Sequence, residues 1–133
     1  MSQSWILVQV SEDTFSHMAD DLKYIGYTTF RGSCSYEVPN EEDFFIVYSG
    51  FNSGNLFPLF IAKVNRTFLK DKSEYICSLS IVSKIVRINK EFAETEFKYF
   101  PTCKTNMTEL VDKTLVAKIW GTIQNAPLLA AWN

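Results

Sequence analysis

Two apolar runs separated by a short polar connection constrain this chain more than any other feature. Asp43-Phe-Phe-Ile-Val-Tyr-Ser-Gly50 is followed within six residues by Leu56-Phe-Pro-Leu-Phe-Ile-Ala-Lys-Val64. Aromatic and β-branched residues bounded by Gly, Asn and Ser predict two buried strands joined through residues 50–55. Tyr48 and Ser49 fall where the first strand ends. The pattern suits a small closed β-structure with a pocket at one rim, and it supplies no catalytic apparatus.

The rest of the chain builds around that pair. Trp5 to Val10 reads as an opening strand. Ser11 can cap a helix over about 12–24, with Glu12 and Asp13 in its first turn. Phe15, Met18, Leu22 and Ile25 then form one apolar face, and Gly26 is a plausible stop. Residues 27–37 read as a loop with short strand pieces, broken at Gly32. Pro39 to Glu42 is a turn. Pro58 makes the start of the second apolar run an edge or a bulge. Residues 66–74 form an exposed polar stretch with Lys70, Asp71 and Lys72 at its tip. Tyr75, Cys77, Leu79 and Ile81 alternate with serines, and a bend near Ser83 and Lys84 splits the run over 75–88. Residues 91–100 suit a short helix or turn. A second helix starts at Asn106 or Thr108, with Met107, Leu110, Val111, Leu115 and Ile119 on its face. Trp120 to Ile123 looks extended, and Asn125 to Pro127 can cap a last helical turn.

The order strand, helix, several strands, helix gives an α+β class, with a mixed or antiparallel sheet curling into a barrel-like form flanked by helices. The 133 residues contain no repeat or linker, so one domain over 1–133 is expected. That length buries a core without disulfides or metal.

Composition narrows the function classes. A formal net charge of −2 argues against a generally basic phosphate-binding surface. A nucleic-acid ligand would need a local basic patch and a base pocket. Cys34, Cys77 and Cys103 form an odd set without C-x-x-C, which predicts a reducing, cytoplasmic setting and no structural zinc. No signal peptide or apolar run of spanning length is visible, so no membrane partner is expected. The N-x-T triplets at Asn65 and Asn106 are then ordinary asparagines. His17 is the single histidine. It has no recognisable nucleophile or orienting partner, and a surface histidine is the default reading. Glu91, Glu94 and Glu96 read as a solvated face rather than paired catalytic carboxylates. Residues 50–54 lack the Lys-Ser/Thr of a phosphate loop. No enzyme, no metal and no cofactor is expected.

The aromatic set Trp5, Tyr27, Phe30, Tyr48, Phe51 and Trp120 carries more weight. Most such residues are core. Several of these fall where strands meet loops, and two or three converging there make a stacking cage for a planar group. Arg31, Ser33 and Ser49 offer donors beside it.

This succession resembles the EVE domain, a member of the PUA-like group that also contains YTH domains. Trp5-Ile-Leu-Val8 is similar to the family's opening strand, and Tyr24-Ile-Gly-Tyr27 to its aromatic-Gly element. Arg31-Gly-Ser33 stands in the place of a pocket loop. Glu42-Asp43-Phe-Phe-Ile-Val-Tyr48 is similar to the Gly-Asp-x-aliphatic-x-x-Tyr strand, with Glu42 where the family has glycine. Leu59 to Val64 and Ile119-Trp-Gly121 match the following strand and a late Trp element. The resemblance implies a non-catalytic reader of a modified DNA or RNA base. It implies Tyr27, Arg31, Ser33, Tyr48, Ser49 and Trp120 as pocket residues, with Arg31 and Lys63 touching phosphate. The rival expectation is a protein-interaction or assembly module of the same fold, homodimer included, with Phe51, Phe57 and Trp132 as its patch.

Overall fold

The computed structural model describes residues 3–34, 38–49, 56–96 and 107–126. Strand β1 (Trp5–Gln9) leads into helix α1 (Glu12–Tyr24), then β2 (Tyr27–Ser33), β3 (Phe44–Tyr48) and the long β4 (Leu56–Leu69). Strands β5 (Glu74–Ile81) and β6 (Val86–Asn89) follow, then α2 (Lys90–Glu96), β7 (Met107–Glu109) and α3 (Lys113–Gln124).

The seven strands form one sheet in the order β2-β5-β4-β3-β1-β7, with β6 beside the first part of β4. β1 and β3 run parallel and every other pair is antiparallel. The class is α+β. The sheet is curled: Phe30 on β2 and Phe45 on β3 lie three strand positions apart, about 14 Å in a flat sheet, yet their rings meet edge to face at 5.4 Å. Between the path's end strands, β2 and β7, no ladder is formed among the described residues. Side chains span the gap instead. The Tyr75 hydroxyl on β5 donates to Met107 Sδ on β7 at 3.0 Å.

Tyr75 reaches across because its cross-strand partner is Gly32. A Cβ at position 32 would collide with the Tyr75 ring. Gly32 therefore does not interrupt a loop. It is the position that lets β2 run unbroken from Tyr27 to Ser33, against the expectation of strand fragments.

The two sheet faces carry separate cores. On the concave face, α1 sets Phe15, Met18, Ala19 and Leu22 against Val8, Phe45, Phe60, Val64 and Leu79. Ser11 caps α1, its Oγ accepting from Thr14 N at 3.1 Å. Gly26 ends the helical segment at φ +82°. On the convex face, α3 sets Leu115, Ile119 and Ile123 against Leu7, Ile46, Leu59 and Ile61. This corrects the extended reading of residues 120–123. Leu115, Ile119 and Ile123 recur every fourth residue, and burying that stripe outweighs the low helix propensity of Gly121 and Thr122. The helix begins at Asp112, whose carboxylate accepts from Thr114 N and Leu115 N at 3.0 and 3.2 Å. Residues 107–109, expected at its start, instead form β7 beside β1. Lys84 Nζ donates to the Gln124 and Ala126 carbonyls at 3.1 and 3.2 Å, tying the β5–β6 bend to the end of α3.

Pro58 sits inside the paired part of β4, opposite Arg87, and its carbonyl accepts from Ser49 N at 3.3 Å. The irregularity in β4 falls later, between Val64 and Arg66. Before β3, Glu42 adopts φ +77°, the conformation that glycine takes without penalty. Its neighbour Asp43 pins the turn. The Asp43 carboxylate accepts from Ser4 N at 3.0 Å and Asn40 N at 2.9 Å, and its carbonyl accepts from Val64 N at 2.8 Å.

Candidate functional site

Register places five side chains in one line across the convex face. Trp5 pairs with Phe44, Phe44 with Lys63, Lys63 with Ser80 and Ser80 with Tyr27. Side chains alternate between faces. The buried concave neighbours Ile6, Phe45, Ala62 and Leu79 fix the opposite side for this row. Helices α2 and α3 cover the convex face over its central strands. The outer half, over β2, β5 and the second half of β4, is uncovered by any described residue: Tyr27 is 54% exposed and Phe68 51%.

At the covered end lies a groove of about 980 Å³ between α3 and the strands. Trp5 and Phe44 form its floor, stacked at 4.4 Å and 17°. Trp120 lines its helical wall with Val116, while Val82, Leu110 and Val111 add further apolar lining. Ser4, Glu109 and Lys113 supply its polar groups. The volume suits a drug-sized or single-base ligand. Gly121 opens the wall, since a Cβ there would meet nothing within 4 Å.

Lys63 lies next along the row. Its Nζ contacts the Glu42 carboxylate at 2.8 Å, and both side chains remain partly exposed. Beyond it, Arg66 stands over the Phe68 ring at 5.6 Å. Arg31 faces the same side, two residues up β2 from Thr29, and pairs across with Ile76. At the β4 irregularity, Asn65 Nδ2 donates to Ser80 Oγ.

The residues named from sequence thus divide. Tyr27, Arg31, Ser33 and Lys63 lie on the convex face, and Trp120 lines the groove at its covered end. Tyr48 is fully buried beneath α2 and α3, stacked on Phe57 at 5.6 Å. Ser49 is buried as well, at the end of β3. Phe57 belongs to the same core, whereas Phe51 and Trp132 lie outside the described residues. Phe44, Arg66 and Phe68 escaped sequence reading. The signal was the strand alternation itself: Phe44 precedes the buried run by one residue, and a one-residue slip in β4 turns Arg66 and Phe68 outward.

The concave interior offers less. A hollow of about 120 Å³ at its mouth is lined by Ile6, Val38, Pro39, Asp43 and Met107. Burial pushes the Tyr75 phenol and the Cys77 thiol up, so both are neutral at pH 7. Cys34 and Cys77 are free thiols, and Cys103 lies outside the described residues. Among the described residues no three His, Cys, Asp or Glu side chains converge to hold a metal ion. No helix there is long and apolar enough to cross a membrane.

Among solved structures, the chain is similar to the crystal structure of a ZmASCH mutant protein from Zymomonas mobilis. The TM-score is 0.56 at 9% identity, over 86% of this chain and 93% of that one. The fold is PUA-like. At that identity the likeness carries the architecture alone. No family model matches the sequence, and no curated protein matches it. The aromatic groove is built on a curled sheet with one helix on its concave face and two on its convex face.

Proposed function

We propose that this chain is a non-catalytic, EVE-type module that binds nucleic acid on the convex face of its sheet. A modified base, taken out of its stack, occupies the groove of Trp5, Phe44 and Trp120. The observation that carries the reading is the meeting of a stacked Trp–Phe pair on the sheet with a third aromatic from α3 in one open groove, one strand away from Lys63. A flipped base gains stacking on such walls, about 1–3 kcal/mol per base. A methyl mark adds apolar contact against Val116 and Leu110. Ser4 and Glu109 offer hydrogen bonds to the base edge. Lys63 meets the phosphate beside that base, and Arg31 a phosphate further along the strand. The overall charge of −2 keeps unselective binding weak, so the groove sets the preference.

Intrinsic tryptophan fluorescence during titration with short DNA and RNA oligonucleotides, modified and unmodified, tests this at low salt. Saturable quenching is expected for one modified base, with its loss, by roughly 5- to 150-fold in affinity, in Trp120→Ala. A flat response across both panels would assign the fold to protein interaction, with exposed Val111 and Phe92 as the first surface to probe.

A further inference from the structure

Charge on the uncovered part of the convex face runs against the charge of the whole chain. Among the described residues that border it, Glu42 pairs with Lys63 at 2.8 Å and Glu74 with Lys70 at 3.6 Å, while the Asp71 carboxylate in the β4–β5 turn is taken up by Ser73. Arg31 and Arg66 remain. Neither has a carboxylate within ion-pair distance among the described residues, and both are exposed. An acidic protein therefore presents a locally cationic strip.

Register fixes the shape of that strip. Thr29, Ser78 and Arg66 form one line across β2, β5 and β4, and Arg31, Ile76 and Phe68 form the next. Phe68 is half exposed, with the Arg66 guanidinium over its ring. Ile76 lies four residues from Ser80 along β5, on the order of 13 Å at about 3.3 Å per residue. The strip is thus continuous with the aromatic groove, through Lys63 and Ser80, but lies well beyond the reach of a single nucleotide held there.

We infer that Arg66, Phe68 and Arg31 form a second subsite, which holds the nucleotides flanking the base in the groove. The strand runs over the open sheet from Trp5 and Phe44 past Lys63 to Phe68. There a base stacks on Phe68, and the two arginines meet phosphates. Thr29 and Ser78 hydroxyls offer further hydrogen bonds. Open sheets with exposed aromatics and flanking cations hold single strands in this manner. The occupant is a single-stranded nucleic acid rather than an acidic peptide, because Phe68 and Ile76 between the arginines favour a flat apolar group over a second carboxylate.

This inference rests on the proposed reading of the groove, and a length series separates the two. Affinities are measured for a dinucleotide and for an oligonucleotide of about 8 residues, within the site sizes of single-strand binders. The protein is the whole chain, as wild type, Phe68→Ser and Arg66→Gln. Thermal melting confirms that these exposed substitutions leave the fold intact. The expected result is tighter binding of the longer strand. Both variants lower that affinity by about 5- to 50-fold and leave the dinucleotide unchanged. Arg66→Gln also lowers the salt slope by about 0.7, the value of one phosphate contact on a single strand. Equal affinity of wild type for both lengths would overturn the second subsite and leave the groove standing. Absence of binding at either length would overturn both. A polyglutamate peptide is run in parallel. Arginine-dependent binding of that peptide without oligonucleotide binding would overturn the inference in favour of an acidic protein partner.

Discussion

The concave and convex faces of this sheet use the same strands for opposite ends. On the concave face, α1 and the curl of the sheet bury nearly everything. Phe15, Phe45, Phe60 and Tyr75 are all at 1% exposure or less. The space left at its mouth is about 120 Å³, against about 980 Å³ for the aromatic groove. On the convex face, two helices cover only the central strands, leaving a groove beside α3 and an open strip over β2, β4 and β5. Closing one face tightly supplies stability, which frees the other to stay partly uncovered. Substitutions on alternate residues of one strand should therefore separate stability from binding.

The largest stability effect is expected at the concave face. Gly32→Ala forces a Cβ into the Tyr75 ring, which is held on its far side by Met107. Overpacking of this kind costs about 1–3 kcal/mol, and a rigid ring in a closed interior belongs at the upper end. Chemical denaturation measures it, and a loss below about 1 kcal/mol would mean that the interior is loosely packed around the ring. Arg31→Ala, the next residue on the opposite face, should leave stability within about 0.5 kcal/mol.

The interior also titrates. Burial raises Cys77 and Tyr75 from ordinary values of 9.0 and 10.0. Their neutral forms are favoured in the folded chain, so the stability they contribute is fully present below those ordinary values. It is lost as pH rises through and beyond them. Melting temperature should hold to about pH 8 and fall above pH 9–10. Cys77→Ala should remove the earlier part of that fall at some loss of packing.

Smaller effects are expected on the convex side. Glu42 holds a left-handed conformation that disfavours side chains by roughly 1–2 kcal/mol, and its carboxylate occupies Lys63. Glu42→Gly should leave stability unchanged or raise it by about 1 kcal/mol, while freeing Lys63 for phosphate and tightening oligonucleotide binding several-fold. Weaker binding by this variant would show that the ion pair orders the site rather than competing with its ligand. Gly121→Ala should raise stability by about 0.8 kcal/mol through helix propensity, since nothing stands in the way of the new methyl group.

Much of the scaffold was legible in the residues. The cap at Ser11, the helix to Tyr24, the two buried strands and the bend at Ser83 all follow from local periodicity and turn chemistry. What failed was context. Gly32 looked like a breaker because its partner Tyr75 lies far along the chain. Residues 120–123 looked extended because β-branched content hides a four-residue stripe that only tertiary packing rewards. Glu42 stands where the resemblance to the EVE pattern has glycine, and its backbone adopts φ +77°, a conformation open to glycine. The site was legible only in part. Trp120, Tyr27, Arg31 and Lys63 could be named as chemistry, but the common face of the last three depends on the β2-β5-β4 register, and Trp120 reaches the groove only through the packing of α3. Tyr48 has the right chemistry and the right strand parity, yet helices cover it.

The most direct measurement is a map of side-chain and amide resonances during titration with a modified single-stranded oligonucleotide. Binding on the convex face predicts shifts at Trp5, Phe44, Lys63, Arg66, Phe68 and Trp120, with Tyr75, Cys77 and Leu79 on the concave face unmoved. Shifts concentrated instead at Val38, Pro39 and Met107, around the concave mouth, would contradict it.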